Sequence, residues 1–190
     1  MSLPAILPFA QEQIRKSLFD GAIAVDATAG NGHDTLFLAK AVGASGHVYS
    51  FDIQQEALER THLRLHSEGV GARVTLYRKG HQFMREVLPE QVYGRVAAMM
   101  FNLGYLPRGD RQVTTRAEST ITALEQGLPL LAPYGVCTLV LYTGHPGGEK
   151  EADAVLAFTK QLDPKQYDAA WYQMLNRNHA PSVVAIKKVR

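Results

Sequence analysis

Val25-Asp26-Ala27-Thr28-Ala29-Gly30-Asn31-Gly32-His33-Asp34 decides how the rest of the chain is read. It ends a short apolar run that starts at Ala22 and leads into residues with helical spacing, so the order is strand, tight turn, helix. Glycine is needed at Gly30 and Gly32 where a ligand approaches the backbone or where the turn demands positive φ. Amides exposed at such a turn, at the start of a helix, suit a carboxylate. Asp26 closes the strand, and Asp52 follows Gly32 by twenty residues. Nucleoside-binding Rossmann units place an acidic side chain at about that distance, where it accepts hydrogen bonds from both ribose hydroxyls.

The segment resembles motif I of S-adenosylmethionine (SAM) dependent methyltransferases, which implies that Asp26 receives the ammonium of the methionine moiety, directly or through water. A nicotinamide site is the rival. Its third glycine would fall at Thr35, the wrong residue for close helix packing in that fingerprint, and SAM has no pyrophosphate that needs it.

Outward from this turn, a first helix is expected over about Gln11 to Phe19, and the helix after the turn over about Asp34 to Ala41, with Leu36, Phe37 and Ala41 as its apolar face. His47 to Asp52 reads as a second strand, and Gln55 to Glu68 as a helix with Leu58, His62 and Leu65 on one side, stopped by Gly69 and Gly71. Val74 to Tyr77, Val96 to Phe101 and Val136 to Tyr142 read as strands. Helices are expected over Phe83 to Val87, Thr114 to Leu131 and Glu149 to Gln161. Ala169 to Leu175 and Val183 to Val189 follow with no helix between them and can pair as a hairpin. Alternation of strand and helix implies a parallel sheet with right-handed crossovers. The expected fold is therefore α/β: one Rossmann-like class I methyltransferase domain over residues 1–190, a mostly parallel seven-stranded sheet with a C-terminal antiparallel β-hairpin, and helices on both faces.

Composition fits this class. The 190 residues are 46% apolar and 20% charged, close to soluble-protein averages, with a formal net charge of +2. That charge neither announces nor excludes a nucleic-acid partner. No apolar run approaches the roughly 18 residues of a membrane span. The N-terminus has no basic start and no small-residue cleavage site, so a cytoplasmic protein is expected. The single cysteine, Cys137, lies within an apolar run and reads as core; no thiolate set exists for zinc, and no metal is expected.

Phe101-Asn102-Leu103-Gly104-Tyr105-Leu106-Pro107 leaves the fourth strand where a doubly wound sheet collects its ligands, and it resembles the Asn-Pro-Pro-Tyr type motif of amino-group methyltransferases with both prolines replaced. An amine attacking a sulfonium methyl must point its lone pair at carbon while its N–H hydrogens are accepted. Asn102 offers its side-chain oxygen for this, with a backbone carbonyl at Leu103 or Gly104 as the second acceptor. Tyr105 can stack on a planar base, worth about 1–3 kcal/mol in nucleic-acid binders. The loops Tyr142 to Glu149 and Asn176 to Pro181 should frame the same end of the sheet, and His145 or His179 there can take a proton near neutrality. After the third strand, where many methyltransferases carry an acidic adenine contact, the chain reads Arg78-Lys79-Gly80-His81. His81 or nearby backbone groups are left for that role.

Together, motif I, the Asn102 to Pro107 loop with Gly109-Asp110, and Tyr142 to Glu151 resemble the YtqB-like family of class I SAM-dependent methyltransferases over nearly the whole chain. The resemblance implies SAM as cofactor and a tRNA wobble uridine as substrate, with methylation of the amine of 5-aminomethyl-2-thiouridine; rRNA, a small-molecule amine, or a non-catalytic binding module are the alternatives. The expected cofactor site is Asp26, Thr28, Gly30, Asn31, Gly32, Asp52, Ile53, His81 and Asn102. Asn102 and Tyr105 are the expected catalytic pair, and Leu103, Gly104, Tyr105, Arg108, His145 and His179 the substrate contacts. Arg108, Arg111 and Arg116, with Arg15, Lys16 and Arg177, are candidates for phosphate. A homodimer is a further expectation from the family.

Overall fold

The apolar runs form their strands in the computed structural model, which describes residues 3–106, 113–178 and 180–190. Among these residues the strands are β1 (Ile23–Asp26), β2 (His47–Asp52), β3 (Val74–Arg78), β4 (Val96–Leu103), β5 (Leu131–Leu141), β6 (Tyr167–Gln173) and β7 (Ser182–Lys188). They make one seven-stranded sheet in the order β3-β2-β1-β4-β5-β7-β6. The first five run parallel; β7 is antiparallel to β5, and β6 to β7. The helices are α1 (Ile6–Arg15), α2 (His33–Ala41), α3 (Gln55–Ser67), α4 (Met84–Val87), α5 (Ala117–Gly127) and α6 (Gly148–Lys160).

Successive side chains of a strand point to opposite faces of the sheet, and this alternation places the site. On one face Val25, Phe51, Met99, Phe101 and Leu103 pack with Leu124 and Val155 of α5 and α6. On the other Ala24, Val48, Ala98 and Met100 pack with Ile14, Leu38 and Leu65 of α1, α2 and α3. Burying each large side chain contributes about 1.5–3 kcal/mol. Asp26, Ser50 and Asn102 continue the second face by parity, so they meet α2.

Several boundaries differ from expectation. The first helix starts at Ile6, because Pro8 falls in its first turn, where the missing N–H has no helical partner to lose. Its buried stripe is Ile6, Ala10 and Ile14. On α2 the buried face is Asp34, Thr35, Leu38 and Ala39 rather than Leu36, Phe37 and Ala41. His62 of α3 is exposed, and Thr61 takes the buried position. The helix expected over Thr114 to Leu131 is α5 alone, followed by a tight turn at Pro129. β5 begins already at Leu131, and its register against β4 is irregular between Val96 and Ala98, opposite Tyr134 with φ 65. Cys137 is fully buried, and burial pushes its thiol pKa up.

Candidate active site

β1 is flanked by β2 on one side and β4 on the other, so strand order reverses beside it, and the carboxyl ends of these strands open a crevice at the switch point. Motif I lies in that crevice. Asp26 is 0% exposed; its carboxylate accepts the Thr35 hydroxyl at 2.6 Å and the Thr28 amide at 3.1 Å. Ser50 in turn donates to the Thr35 hydroxyl at 3.1 Å. Thr35, where a nicotinamide fingerprint needs glycine, therefore carries the hydroxyl that satisfies the buried carboxylate. Burial, then the Asp34 charge, pushes the Asp26 pKa up to about 7. Asp26 thus braces the turn from within, through the Thr28 amide and the Thr35 hydroxyl.

Gly30 and Gly32 both have positive φ, 52 and 77. A Cβ on Gly32 would lie 2.9 Å from Cα and Oγ1 of Thr61, so the close approach there is to α3 rather than to a ligand. The Thr61 hydroxyl donates to the Gly30 carbonyl at 3.1 Å. Asn31 faces α3 as well: its side-chain oxygen accepts from Arg60 at 3.0 Å and its carbonyl from Arg64 at 2.8 Å. The turn amides are mostly taken, those of Ala29 and Gly32 by the carbonyls of Phe51 and Ala29 and that of Gly30 by Asp52 at 2.9 Å. Contrary to expectation, the amide of Gly30 is not open to an anion.

Asp52 also accepts the Gln54 amide at 2.9 Å, and burial raises its pKa. The Ile53 amide also favours the charged carboxylate, which keeps acceptor capacity for a hydroxyl. Ile53, next along, is 53% exposed and presents an apolar surface beside Asp52. His81 is buried, with Nδ1 3.1 Å from the Ala27 carbonyl. A carbonyl only accepts, so Nδ1 carries the proton and Nε2 is an acceptor without a partner among the described residues. Burial pushes its pKa down to about 4, leaving the ring neutral.

Asn102 is a residue of β4, paired with Val140 of β5, and not of the loop beyond it. Its amide N–H donates to the Thr28 hydroxyl at 2.7 Å, and its side-chain NH2 donates to Asp34. The other Asp34 oxygen accepts from Gln11 of α1 at 3.0 Å. The Asn102 side-chain oxygen is buried and has no hydrogen-bond partner among the described residues. Leu103 is core. The Gly104 carbonyl already accepts the Thr115 amide at 2.9 Å and the Thr114 hydroxyl at 3.0 Å, which removes it from the two candidates for second acceptor.

Tyr105 is 39% exposed, bridges to Thr114, and meets His145 edge-on with ring centroids 5.9 Å apart. His145 Nδ1 donates to the Pro146 carbonyl at 3.1 Å, so its Nε2 is the acceptor end. Arg108, Gly109, Asp110, Arg111 and His179 lie outside the described residues.

Sequence reading missed Asp34, Gln11, Tyr142 and Glu151. An acidic residue in a first helical turn is what the helix dipole favours anyway, so Asp34 gave no separate signal. Tyr142, whose pKa burial and then the Asp34 charge raise, lies near the same carboxylate. Glu151, 2% exposed, accepts from the hydroxyls of Thr115 at 2.7 Å and Thr120 at 2.6 Å and so ties α6 to the segment that follows the acceptor loop. The ion pairs among the described residues all lie elsewhere and leave Asp26, Asp34 and Asp52 without a cation. Such a crevice suits a ligand that brings positive charge.

A family model described as Putative rRNA methylase matches residues 48–188. The chloroplastic tRNA (mnm(5)s(2)U34)-methyltransferase of Arabidopsis thaliana is 40% identical over 177 residues, 88% of this chain and 64% of the plant protein. The chain thus spans just under two thirds of that relative's length. The structure of a putative rRNA-methylase from Clostridium thermocellum is 39% identical with a TM-score of 0.94, covering 99% of this chain and 100% of its own. That of a putative methyltransferase from Streptococcus mutans, in complex with SAH, is 35% identical with a TM-score of 0.88, covering 98% and 99%.

Proposed function

The chain belongs to the Putative rRNA methylase family and carries a SAM-dependent methyltransferase domain, and on that premise we propose that it methylates the primary amine of 5-aminomethyl-2-thiouridine at the tRNA wobble position, giving the methylaminomethyl nucleoside. One observation carries the amine: among the described residues the Asn102 side-chain oxygen is an acceptor with no partner, and the carboxylates beside it have no cation. The activity in the plant relative's name supports the acceptor.

SAM, when bound, supplies a methyl group on a sulfonium that leaves as a neutral thioether. Asp52 would hold the ribose hydroxyls, Ile53 would cover one face of the adenine, and His81 Nε2 would accept from the adenine amine. Asp26 keeps the motif I turn in place from below. Asn102 accepts an N–H of the amine and leaves its lone pair directed at the methyl carbon. With SAM bound, the amine so held would take the methyl group as the carbon–sulfur bond breaks, and the ammonium formed would lose its proton to solvent. Holding the reactants in line is the main contribution required of the protein. Tyr105, which meets His145 edge-on, would stack on the uridine, and Arg108 and His179 would complete the substrate contacts. RNA recognition falls to this domain or to a homodimer of it, acting in the cytoplasm.

The test is incubation with SAM and tRNA lacking the final methyl group, followed by nucleoside mass spectrometry, with rRNA and free amines as parallel substrates. Gain of one methyl on the aminomethyl nucleoside is expected. Methylation of rRNA or free amine alone, or of nothing, contradicts the proposal.

A further inference from the structure

We propose that Asp34 is a positioning residue for methyl transfer, acting through Asn102 by fixing which end of that side-chain amide faces the acceptor. The proposal rests on the amine reading above and adds to it the group that makes Asn102 an acceptor rather than a donor.

Asn102 is already held at its backbone by the Thr28 hydroxyl at 2.7 Å and by its pairing with Val140 of β5. What remains free is rotation of the amide, whose oxygen and NH2 occupy nearly the same space. The wrong orientation would aim N–H at the N–H of an incoming amine. A carboxylate has no hydrogen to offer and can only accept, so the Asp34–Asn102 contact requires the NH2 to face Asp34 and the oxygen to face away. The unpartnered oxygen of Asn102 is the consequence.

Asp34 is itself held. It is 8% exposed, and its second oxygen accepts from Gln11 at 3.0 Å. A purely structural role at the start of α2 would be a cap, yet the helix has no side-chain cap bond; both carboxylate oxygens turn instead to Gln11 and Asn102. The N-terminal helix thereby reaches the acceptor site through a chain of two hydrogen bonds.

The experiment is a double-mutant cycle of Asp34→Ala and Asn102→Ala, with kcat and KM for tRNA and the affinity for S-adenosylhomocysteine read separately. Misplacement of a reacting group by about 1 Å can cost about 100-fold in rate. Asp34→Ala is therefore expected to lower kcat by about that factor while affinity for S-adenosylhomocysteine changes less than about threefold. Asp34→Asn, whose carbonyl still accepts from Asn102, should recover part of the loss. In the Asn102→Ala background, Asp34→Ala should cost less than about twofold more, because residues that act through one contact are not additive. Additive losses overturn the proposal. A second readout needs no turnover: in the S-adenosylhomocysteine complex, the side-chain amide resonances of Asn102 should be slow to exchange with water and should move and exchange faster in Asp34→Ala. Resonances unchanged by Asp34→Ala overturn the orienting role whatever the acceptor. If those resonances respond but the aminomethyl nucleoside is never methylated, the acceptor assignment falls and the orientation stands.

Discussion

The backbone amide of Asn102 donates to the hydroxyl of Thr28 across 2.7 Å, joining the turn after the first strand to the end of the fourth although the residues are 74 apart in sequence. Cofactor turn and acceptor strand therefore move together. Thr28→Val keeps the shape and removes the acceptor, leaving the Asn102 amide unpaired at a cost of about 1–3 kcal/mol. Urea unfolding should show that loss, with Thr28→Ser close to the wild type. A Thr28→Val protein as stable as the wild type contradicts the link.

The two motif glycines should respond differently to alanine. At Gly30 the new Cβ would meet the flexible end of Leu106 at 3.6 Å and the Thr28 carbonyl oxygen at 3.8 Å, both ordinary contacts, so the cost is that of a left-handed backbone, about 1–2 kcal/mol. At Gly32 the same backbone cost is joined by a 2.9 Å clash with the Thr61 backbone, for a total of about 2–5 kcal/mol. Thermal unfolding that ranks Gly30→Ala as the more damaging would refute this assignment.

Asp26 and His81 should give opposing pH dependences. Asp26 titrates at 3.8 when unfolded and at about 7 in the fold. The folded state holds its proton longer, so stability falls as pH rises through that window, in total by about 4 kcal/mol. His81 titrates at 6.5 when unfolded and at about 4 in the fold, so its contribution is complete above 6.5 and is lost as pH falls toward 4, in total by about 3 kcal/mol. Between those limits the two largely offset each other. Asp26→Asn should leave the His81 slope, with stability rising with pH relative to the wild type; His81→Asn should leave the Asp26 slope, with stability falling. Denaturant unfolding across about pH 4.5 to 6.5 reads both, and two variants with the wild-type slope would contradict the burial argument.

The strand-turn-helix around Gly30 was legible because glycine, an apolar run and an acidic residue at a set distance are local signals. The parallel sheet followed from the alternation of strand and helix, and the closing hairpin from the two β-rich stretches that break it. Helix ends were less legible: Pro8 and Pro129 are tolerated or act as stops according to the turn they fall in, which periodicity does not show. At the site, sequence marked Asn102 and Asp52 but not how they are held. Gln11 meets Asp34, and Asp34 meets Asn102, only because α1 and α2 pack on the sheet face to which the alternation of β4 turns Asn102. Such partners are set by tertiary packing, and no spacing along the chain announces them. The Gly104 carbonyl, free on sequence grounds, is occupied by Thr114 and Thr115, which the chain brings back beside it.

The most direct measurement is calorimetric titration of the folded protein with S-adenosylhomocysteine, repeated on Asp52→Ala. One ligand per chain is expected for the wild type, with binding weakened at least about tenfold in the variant, equivalent to about 1.4 kcal/mol of lost hydrogen bonding to the ribose. No binding to the folded wild type, or equal affinity in both proteins, would contradict the assignment of this crevice.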